Sequence, residues 1–346
     1  GRPVLDTVTV SSHGHGHYST IGSALAAVGS GTRILVRQGL YRESLIIDKH
    51  VEIIGDGDLS DIEVSSSSGP CLMMKADHAV VRNVLLCGTR GDETEGVAAV
   101  VIGRGKLIME DCDITCSSSH CILIRGKDAD PVVRRCSIHD GAASGVRVYG
   151  NGLGTFEECD IWANARAGVE VSGGGNPTIK NCRIHDNNTC GVRVHGNGLG
   201  TLESCDIWAN TLFGVGISTG GNPTIKDCKI IGGKKAGVHI GNRGCGTVEQ
   251  CDIRGSEGSG VVLVESGDPI IRGCKICDSK KNGVWVDDGG RGTIDRCDIW
   301  GNACAGVAIS GRGDPEIRDC RIHDGWNAGV YVNGNGRGTI DRCDIW

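Results

Sequence analysis

A repeat of 23 residues constrains the fold of this chain more than any other feature. Gly-Val pairs recur at this constant step, at Gly145, Gly168, Gly191, Gly214, Gly237, Gly260, Gly283, Gly306 and Gly329. Cysteines follow the same step from Cys136 to Cys343. A fixed period of this length over about two hundred residues indicates a solenoid, in which each repeat contacts only its neighbours.

Each repeat has the alternation that is typical of strands. Val146 and Val148 occupy every second position, and so do Cys159 and Ile161, which is the period of a strand with one buried face. No segment is long enough for the helix of a leucine-rich repeat. The 57 glycines and the aromatic content of 3% suit stacked aliphatic rows with tight turns. The sequence therefore predicts an all-β parallel β-helix (solenoid) with 23-residue coils.

Charges alternate in sign from coil to coil. The residue two before each ladder cysteine runs through Glu110, Arg134, Glu157, Lys180, Glu203, Lys226, Glu249, Arg272, Asp295, Arg318 and Asp341. In a parallel, in-register stack these side chains are direct neighbours, and each opposite-charge pair contributes about 0.2–1 kcal/mol. We interpret them as holding the register, not as catalytic groups. Asp/Asn-Pro turns occur in every second coil and Gly-x-Gly-Thr turns in the coils between them.

The cysteine and asparagine columns are predicted to be structural. Single cysteines in a column do not converge on one metal ion, and a strand spacing of about 4.8 Å exceeds the separation that a disulfide prefers. We expect buried thiols that pack as small hydrophobic groups, no metal site and no cofactor. So many free thiols indicate a reducing compartment, hence a cytoplasmic location. A second column satisfies turn backbone groups, at Asn164, Asn187, Asn210 and Asn302.

The first fifty residues differ from the repeats. We expect residues 1–50 to form a leader, a capping helix over Ser23–Val28 and the first strands, and residues 51–346 to form the β-helix, truncated at its C-terminal end. An uncapped last coil would allow self-association. His13, His15 and His17 alternate in the leader, a pattern that can bind a transition metal, although no functional metal is predicted there.

The repeats resemble a known family. The segment from Gly175 to Asp186, followed by Gly191-Val192, is similar to repeats of the CASH-type right-handed parallel β-helix proteins, a group of carbohydrate-binding proteins and sugar hydrolases. It resembles most the substrate-recognition β-helix of F-box-only proteins and related bacterial repeat proteins. The opening, from Thr20-Ile21 to Ile54-Gly55-Asp56-Gly57, looks like the first coil of pectinesterase-like β-helices. The resemblance implies a right-handed β-helix and a recognition function.

Candidate binding residues lie in one outward column. It contains Trp162, His185, Trp208, Trp300 and His323, with His139 and Trp346 at its ends. Exposed tryptophans at regular spacing suit sugar rings or a protein partner. The alternative is a stacked aromatic–histidine column that only covers the corner of the coils.

The sequence leaves three functions open, one of which is a purely architectural spacer between domains. We expect a non-catalytic recognition module that binds a protein partner along an exposed face. The alternative is a carbohydrate-binding or polysaccharide-modifying protein, such as a lyase, hydrolase or esterase. The net charge of −6 argues against nucleic acid, and no apolar run is long enough for a membrane span. The least regular coils, residues 66–125, are where an active site would lie.

Overall fold

The computed structural model describes residues 6–89 and 98–346. The chain divides into two compact units, Gly1–Arg166 and Ala167–Trp346. Both are built from short parallel strands with very little helix, which confirms the predicted all-β parallel solenoid and gives about 14 coils. Three parallel sheets run through each unit, called sheets 1, 2 and 3 in the order in which a coil visits them.

Strand pairing has the predicted register. In sheet 3 of the second unit Val192 pairs with Val215 and Val215 with Val238, each partner lying 23 residues further along the chain. Turns between sheets use residues in the left-handed conformation, such as Asn181 (φ 51°) after sheet 1 and Asp186 (φ 53°) after sheet 2. Asn and Asp tolerate this conformation better than most residues, which explains their frequency at these turns.

Eighteen of the strands in the described residues belong to the first unit. Sheet 1 consists of Thr7–Val10, Thr32–Arg37, Val51–Asp56, His78–Arg82, Lys106–Glu110, Val132–Arg134 and Thr155–Glu157. Sheet 2 consists of Gly39–Arg42, Ile62–Ser66, Leu85–Gly88, Asp113–Cys116, Ser137–His139 and Asp160–Trp162. Sheet 3 consists of Leu45–Ile47, Leu72–Met74, Val100–Ile102, Ile122–Arg125 and Val146–Tyr149.

The second unit repeats the pattern with greater regularity. Sheet 1 consists of Thr178–Lys180, Thr201–Glu203, Thr224–Lys226, Thr247–Glu249, Ile270–Arg272, Thr293–Asp295, Glu316–Arg318 and Thr339–Asp341. Sheet 2 consists of Arg183–His185, Asp206–Trp208, Lys229–Ile231, Asp252–Arg254, Lys275–Cys277, Asp298–Trp300, Arg321–His323 and Asp344–Ile345. Sheet 3 consists of Val169–Val171, Cys190–Val194, Phe213–Ile217, Ala236–Ile240, Ser259–Leu263, Val284–Val286, Val307–Ile309 and Val330–Val332.

A short helix, α1 (Ile21–Ala27), lies in the first unit, slightly earlier than predicted. Thr20 caps it by accepting a hydrogen bond from the Ser23 N–H, and the Glu43 carboxylate accepts from the first two N–H groups, at 2.8 and 2.7 Å. Its buried face consists of Ile21, Ala24 and Leu25. The strand Thr7–Val10, within the predicted leader, was not expected, and a 3₁₀ turn spans Leu59–Asp61.

The cysteine column packs as the sequence predicts. All 19 cysteines of the chain lie in the described residues and none forms a disulfide. Cys159 is 1% exposed, and its thiol donates to the carbonyls of Glu157 and Val133, both at 3.4 Å. The column therefore fills the corner between sheets 1 and 2 as small buried groups.

Opposite charges meet in adjacent coils, as predicted. In the first unit Arg134 contacts Glu110 at 3.6 Å and Glu157 at 2.6 Å. In the second unit the buried Asp295 accepts hydrogen bonds from Arg272 and Arg318, at 3.1 and 3.3 Å. A shift of one coil would place like charges together, so these contacts specify the register.

Glycines are required where adjacent coils approach closely. A Cβ on Gly246, whose φ is +111°, would lie 2.5 Å from the Pro223 carbonyl oxygen one coil earlier. The same contact recurs between Gly292 and Pro269. This contact explains why prolines and Gly-x-Gly-Thr turns alternate from coil to coil.

Candidate functional site

The predicted column on sheet 2 consists of stacked rings. In the first unit the His139 and Trp162 rings are 4.2 Å apart and inclined by 10°. In the second unit His185 and Trp208 have the same separation and angle. His323 lies parallel to Trp300 at 6.1 Å and to Trp346 at 4.6 Å.

Aspartates hold the imidazoles of this column. His139 contacts Asp113 through Nε2 at 2.9 Å and Asp140 through Nδ1 at 2.7 Å. Burial lowers the pKa of His139, but the hydrogen bonds to these two carboxylates outweigh it and leave the pKa above its ordinary value. His323 has the same arrangement with Asp324 and Asp298, and its pKa is also raised.

Stacking leaves little of these ring faces open to a ligand. The side chains of His139 and His323 are only 15% and 12% exposed. A sugar could therefore reach the indole face that such an imidazole covers only by displacing the imidazole. The geometry matches the corner-covering column that the sequence left as the alternative. A binding role remains a prediction for Trp162, His185, Trp208, Trp300 and His323.

The second unit presents a different array of rings on sheet 3. We define the sheet 3 track as the successive outward residues His239, Val262, Trp285, Ala308 and Tyr331, which are in register along the sheet. Large rings alternate with small residues. Val262 and Ala308 are 6% and 8% exposed, whereas Trp285 is 37% exposed. The rings therefore recur every second coil, about 9.5 Å apart, with a small buried side chain between them instead of another ring.

Polar groups orient the rings of the track. The Trp285 indole N–H donates to the Ser310 hydroxyl at 3.3 Å, and the Asn333 amide donates to the Tyr331 hydroxyl at 3.3 Å. His239 stacks on Phe213 with 4.4 Å between ring centres. Each of these three rings thus has a contact that supports the orientation of its plane.

A polar groove of about 630 Å³ is lined by the turns that follow the sheet 3 strands, including the turn after Trp285. Its walls are Asn242, Arg243, Glu265, Ser266, Asp288, Gly289, Arg291, Arg312, Asp314 and Arg337. Arg312 is 3.9 Å from Asp288. Arg243, Arg291 and Arg337 form no ion pair with any carboxylate in the described part of the chain. The groove therefore offers guanidinium, carboxylate and amide groups to a hydroxyl-rich ligand.

The sequence also carries a signal for the track, which is separate from the predicted tryptophan column. Every twenty-third residue from Gly216 gives Gly, His, Val, Trp, Ala and Tyr. The alternation of large and small residues in the middle of the Val-x-Val strands would have identified it.

The other predicted regions hold no comparable array. His17 binds the Thr9 backbone and hydroxyl through Nδ1, and the described residues contain no cluster of three or more metal-binding side chains. Of the irregular region 66–125, residues 90–97 lie outside the described residues. Ser66, Ser67, Ser68 and Thr89 line a groove of about 350 Å³ in the first unit, together with Arg42 and Glu63.

No helix in the described ranges is both long and apolar enough to cross a membrane.

Solved structures with the same fold are distant in sequence. The A-module of the Azotobacter vinelandii mannuronan C-5 epimerase AlgE4 is 16% identical, with a TM-score of 0.59 over 92% of this chain and 93% of that one. Tailspike protein 3 of bacteriophage CBA120 is 12% identical, with a TM-score of 0.65 over 93% of this chain and 57% of that one. An α-1,3-glucanase catalytic unit from Streptomyces thermodiastaticus is 15% identical, with a TM-score of 0.52 over 94% and 65% of the two chains.

No curated protein matches the sequence significantly. The model of the right-handed β-helix region matches residues 71–223, 155–276 and 259–346, which together cover most of the chain. These matches agree with the parallel coils and the in-register columns described above. The chain therefore belongs to the right-handed β-helix family.

Proposed function

We propose that this protein binds a polysaccharide along the sheet 3 track and the polar groove of its second unit. The observation that carries the proposal is the exposed ring of Trp285 between the small residues Val262 and Ala308. Because the neighbours of the indole in the track are small, no second ring covers it, whereas imidazoles stack on indoles in the column on sheet 2.

The spacing of the track suits an extended polymer. A sugar ring has an apolar face of C–H groups that packs on an aromatic face and removes apolar surface from water. Rings about 9.5 Å apart, two strand spacings, would contact alternate sugars of an extended chain. The hydroxyl groups at the edges of those sugars could then pair with arginine, aspartate and asparagine side chains of the groove.

The comparisons support this alternative over the protein-binding scaffold that the F-box resemblance implied. Proteins of the same fold are named as a mannuronan epimerase and an α-1,3-glucanase, which act on polysaccharides. Their identity to this chain is at most 16%, so their own substrates are not transferred. A protein partner and a cytoplasmic location remain predictions from the sequence.

The test is glycan binding by the wild-type protein and by W285A, with a panel of neutral and acidic polysaccharides. We expect at least one saturable ligand and roughly a tenfold weaker affinity in W285A, since an aromatic contact is worth about 0.5–1.5 kcal/mol beyond its buried area. W326A is the matched control, because Trp326 is 86% exposed and lies outside the track. Equal losses in both variants, or no loss in W285A, would refute the proposed face.

A further inference from the structure

We propose that Ser218, His195 and Glu170 form an esterase centre that removes acyl groups from a glycan held on the sheet 3 track. Ser218 would be the nucleophile and His195 the base, with Glu170 as the positioning carboxylate. The inference rests on the proposed polysaccharide binding, because the track would deliver the substrate to this centre.

A carboxylate already orients the histidine. The His195 Nε2 lies 3.1 Å from the Glu170 Oε1, and the Glu170 side chain is only 9% exposed, against 24% for His195. In the tautomer whose Nε2–H donates to this carboxylate, Nδ1 carries no proton and can act as the base. A base held in this way by a buried carboxylate is the arrangement that activates a hydroxyl nucleophile.

Ser218 occupies the same position as His195 in the next coil. The hydrogen bonding of sheet 3 continues one residue past the strand ends. The His195 N–H donates to the Val171 carbonyl at 2.9 Å, and the Ser218 N–H donates to the Val194 carbonyl at 3.0 Å. The two residues are therefore one strand spacing apart, about 4.8 Å between their Cα atoms. Ser218 is partly exposed, whereas Ser172, in the coil before His195, is buried.

The Ser218 hydroxyl is free to rotate toward the imidazole. It has no hydrogen-bond partner in the described part of the chain, and no hydrogen bond joins it to His195 in this structure. Hydrogen bonds between nucleophile and base are commonly longer without substrate and shorten when substrate binds.

A cation lies beside this pair. Arg193 is exposed, projects from the same face as His195 two residues later, and has no ion-pair partner among described carboxylates. Its neighbour in the next coil is Gly216, which places no side chain on the sheet. An oxyanion formed on an acyl group at Ser218 would face the exposed Arg193 guanidinium, which suits its stabilisation.

The available groups favour an ester over a glycosidic bond. Hydrolysis of a glycosidic bond ordinarily needs two carboxyl groups on opposite sides of it. Two outward columns of sheet 3 pass through Arg193 and His195. Along them, the next described carboxylate after Glu170 is that of Asp287, which lies three coils beyond Ser218. One histidine, in contrast, can serve both halves of ester hydrolysis.

The reaction proceeds in two balanced steps. The Ser218 oxygen bonds to the acyl carbon as His195 takes the hydroxyl proton, and the resulting oxyanion faces Arg193. The ester C–O bond then breaks, and the sugar oxygen leaves with the proton from His195. Water attacks the acyl-serine with its proton passing to His195, which returns the proton to Ser218 as the carboxylic acid leaves. The net change is ester plus water to sugar hydroxyl plus carboxylic acid.

The experiment combines covalent labelling with acetate release. A fluorophosphonate probe, located by peptide mass spectrometry, should label Ser218 in the wild-type protein, and chemically acetylated xylan should release acetate. S218A should lose both signals to background, and H195Q should lose about 100-fold or more of the acetate-release rate, as expected for a general base. E170Q should lower this rate at least tenfold while KM stays within about twofold, since Glu170 acts only through His195. S60A, at an exposed serine of the first unit, is the control.

The outcomes separate this centre from the proposed binding function. Binding of xylan or another panel glycan that depends on Trp285, without labelling or acetate release, would overturn the esterase and leave polysaccharide binding intact. Labelling at Ser172 instead of Ser218, or full acetate release by S218A, would also overturn the assignment. Circular dichroism of each variant should match the wild type, so that loss of signal is not loss of fold.

Discussion

Asn210 accepts two hydrogen bonds from Asn187 in the preceding coil, one from its backbone N–H at 3.1 Å and one from its side-chain amide at 3.0 Å. Asn210 in turn donates to the Ile184 and Trp208 carbonyls, at 3.1 and 3.0 Å. Both asparagines are almost fully buried. The predicted asparagine column thus satisfies the backbone of the turn between sheets 2 and 3.

Substitution of Asn210 by Ala should destabilise the protein by about 1–3 kcal/mol, because it leaves the buried Asn187 N–H and two carbonyls without partners. Urea unfolding followed by circular dichroism measures this loss. N222A is the control, since Asn222 is exposed, and it should change the free energy of unfolding by less than about 0.5 kcal/mol. Similar losses in both variants would contradict the ladder.

Substitution of Gly283 by Ala should cost about 1–3 kcal/mol by overpacking. An added Cβ would lie 2.6 Å from both the Gly306 carbonyl oxygen and the Ile299 side chain. Thermal unfolding gives the measurement, with G103A as the control because a Cβ on Gly103 meets no atom within 4 Å. An unchanged melting temperature in G283A would show that adjacent coils can separate at this corner.

The histidine column should stabilise the first unit more at low pH than at high pH. The raised pKa of His139 means that its contribution is complete below the unfolded value, about 6.5, and disappears as pH rises through the folded value. Replacing His139 by Gln removes this contribution. The difference in unfolding midpoint between wild type and H139Q should therefore be larger at about pH 5.5, below the unfolded pKa, than at about pH 9. A difference independent of pH would mean that Asp113 and Asp140 do not hold an imidazolium.

Thiol reactivity should divide the cysteines by burial. In the folded protein iodoacetamide should modify the partly exposed Cys87, Cys245, Cys304 and Cys343 first. Burial raises the pKa of Cys71 to about 12 and that of Cys190 to about 11, so both should react only after unfolding. Mass spectrometry of peptides after brief alkylation, with and without urea, distinguishes the two groups. Rapid native modification of Cys71 would contradict its buried position.

Functional residues were harder to predict than the coils. Four of the six tryptophans recur at the repeat step, but in that column Trp208 stacks on His185. Trp285, which is more open, belongs to a column without other tryptophans. Both columns can be identified in the sequence from the 23-residue repeat. The exposed fraction of a ring, however, depends on the side chain in the next coil as much as on the ring itself.

The sequence by itself determined the parallel β-helix, the 23-residue register, the cysteine and asparagine columns and the pairing of opposite charges. In a solenoid each residue meets its own repeat one coil later, so these contacts can be read at a constant step. Only the tertiary structure decided contacts that run diagonally between columns, such as Glu170 with His195 and Phe213 with His239. Those pairs are 25 and 26 residues apart, and they depend on turn conformations and side-chain rotamers that the repeat does not specify.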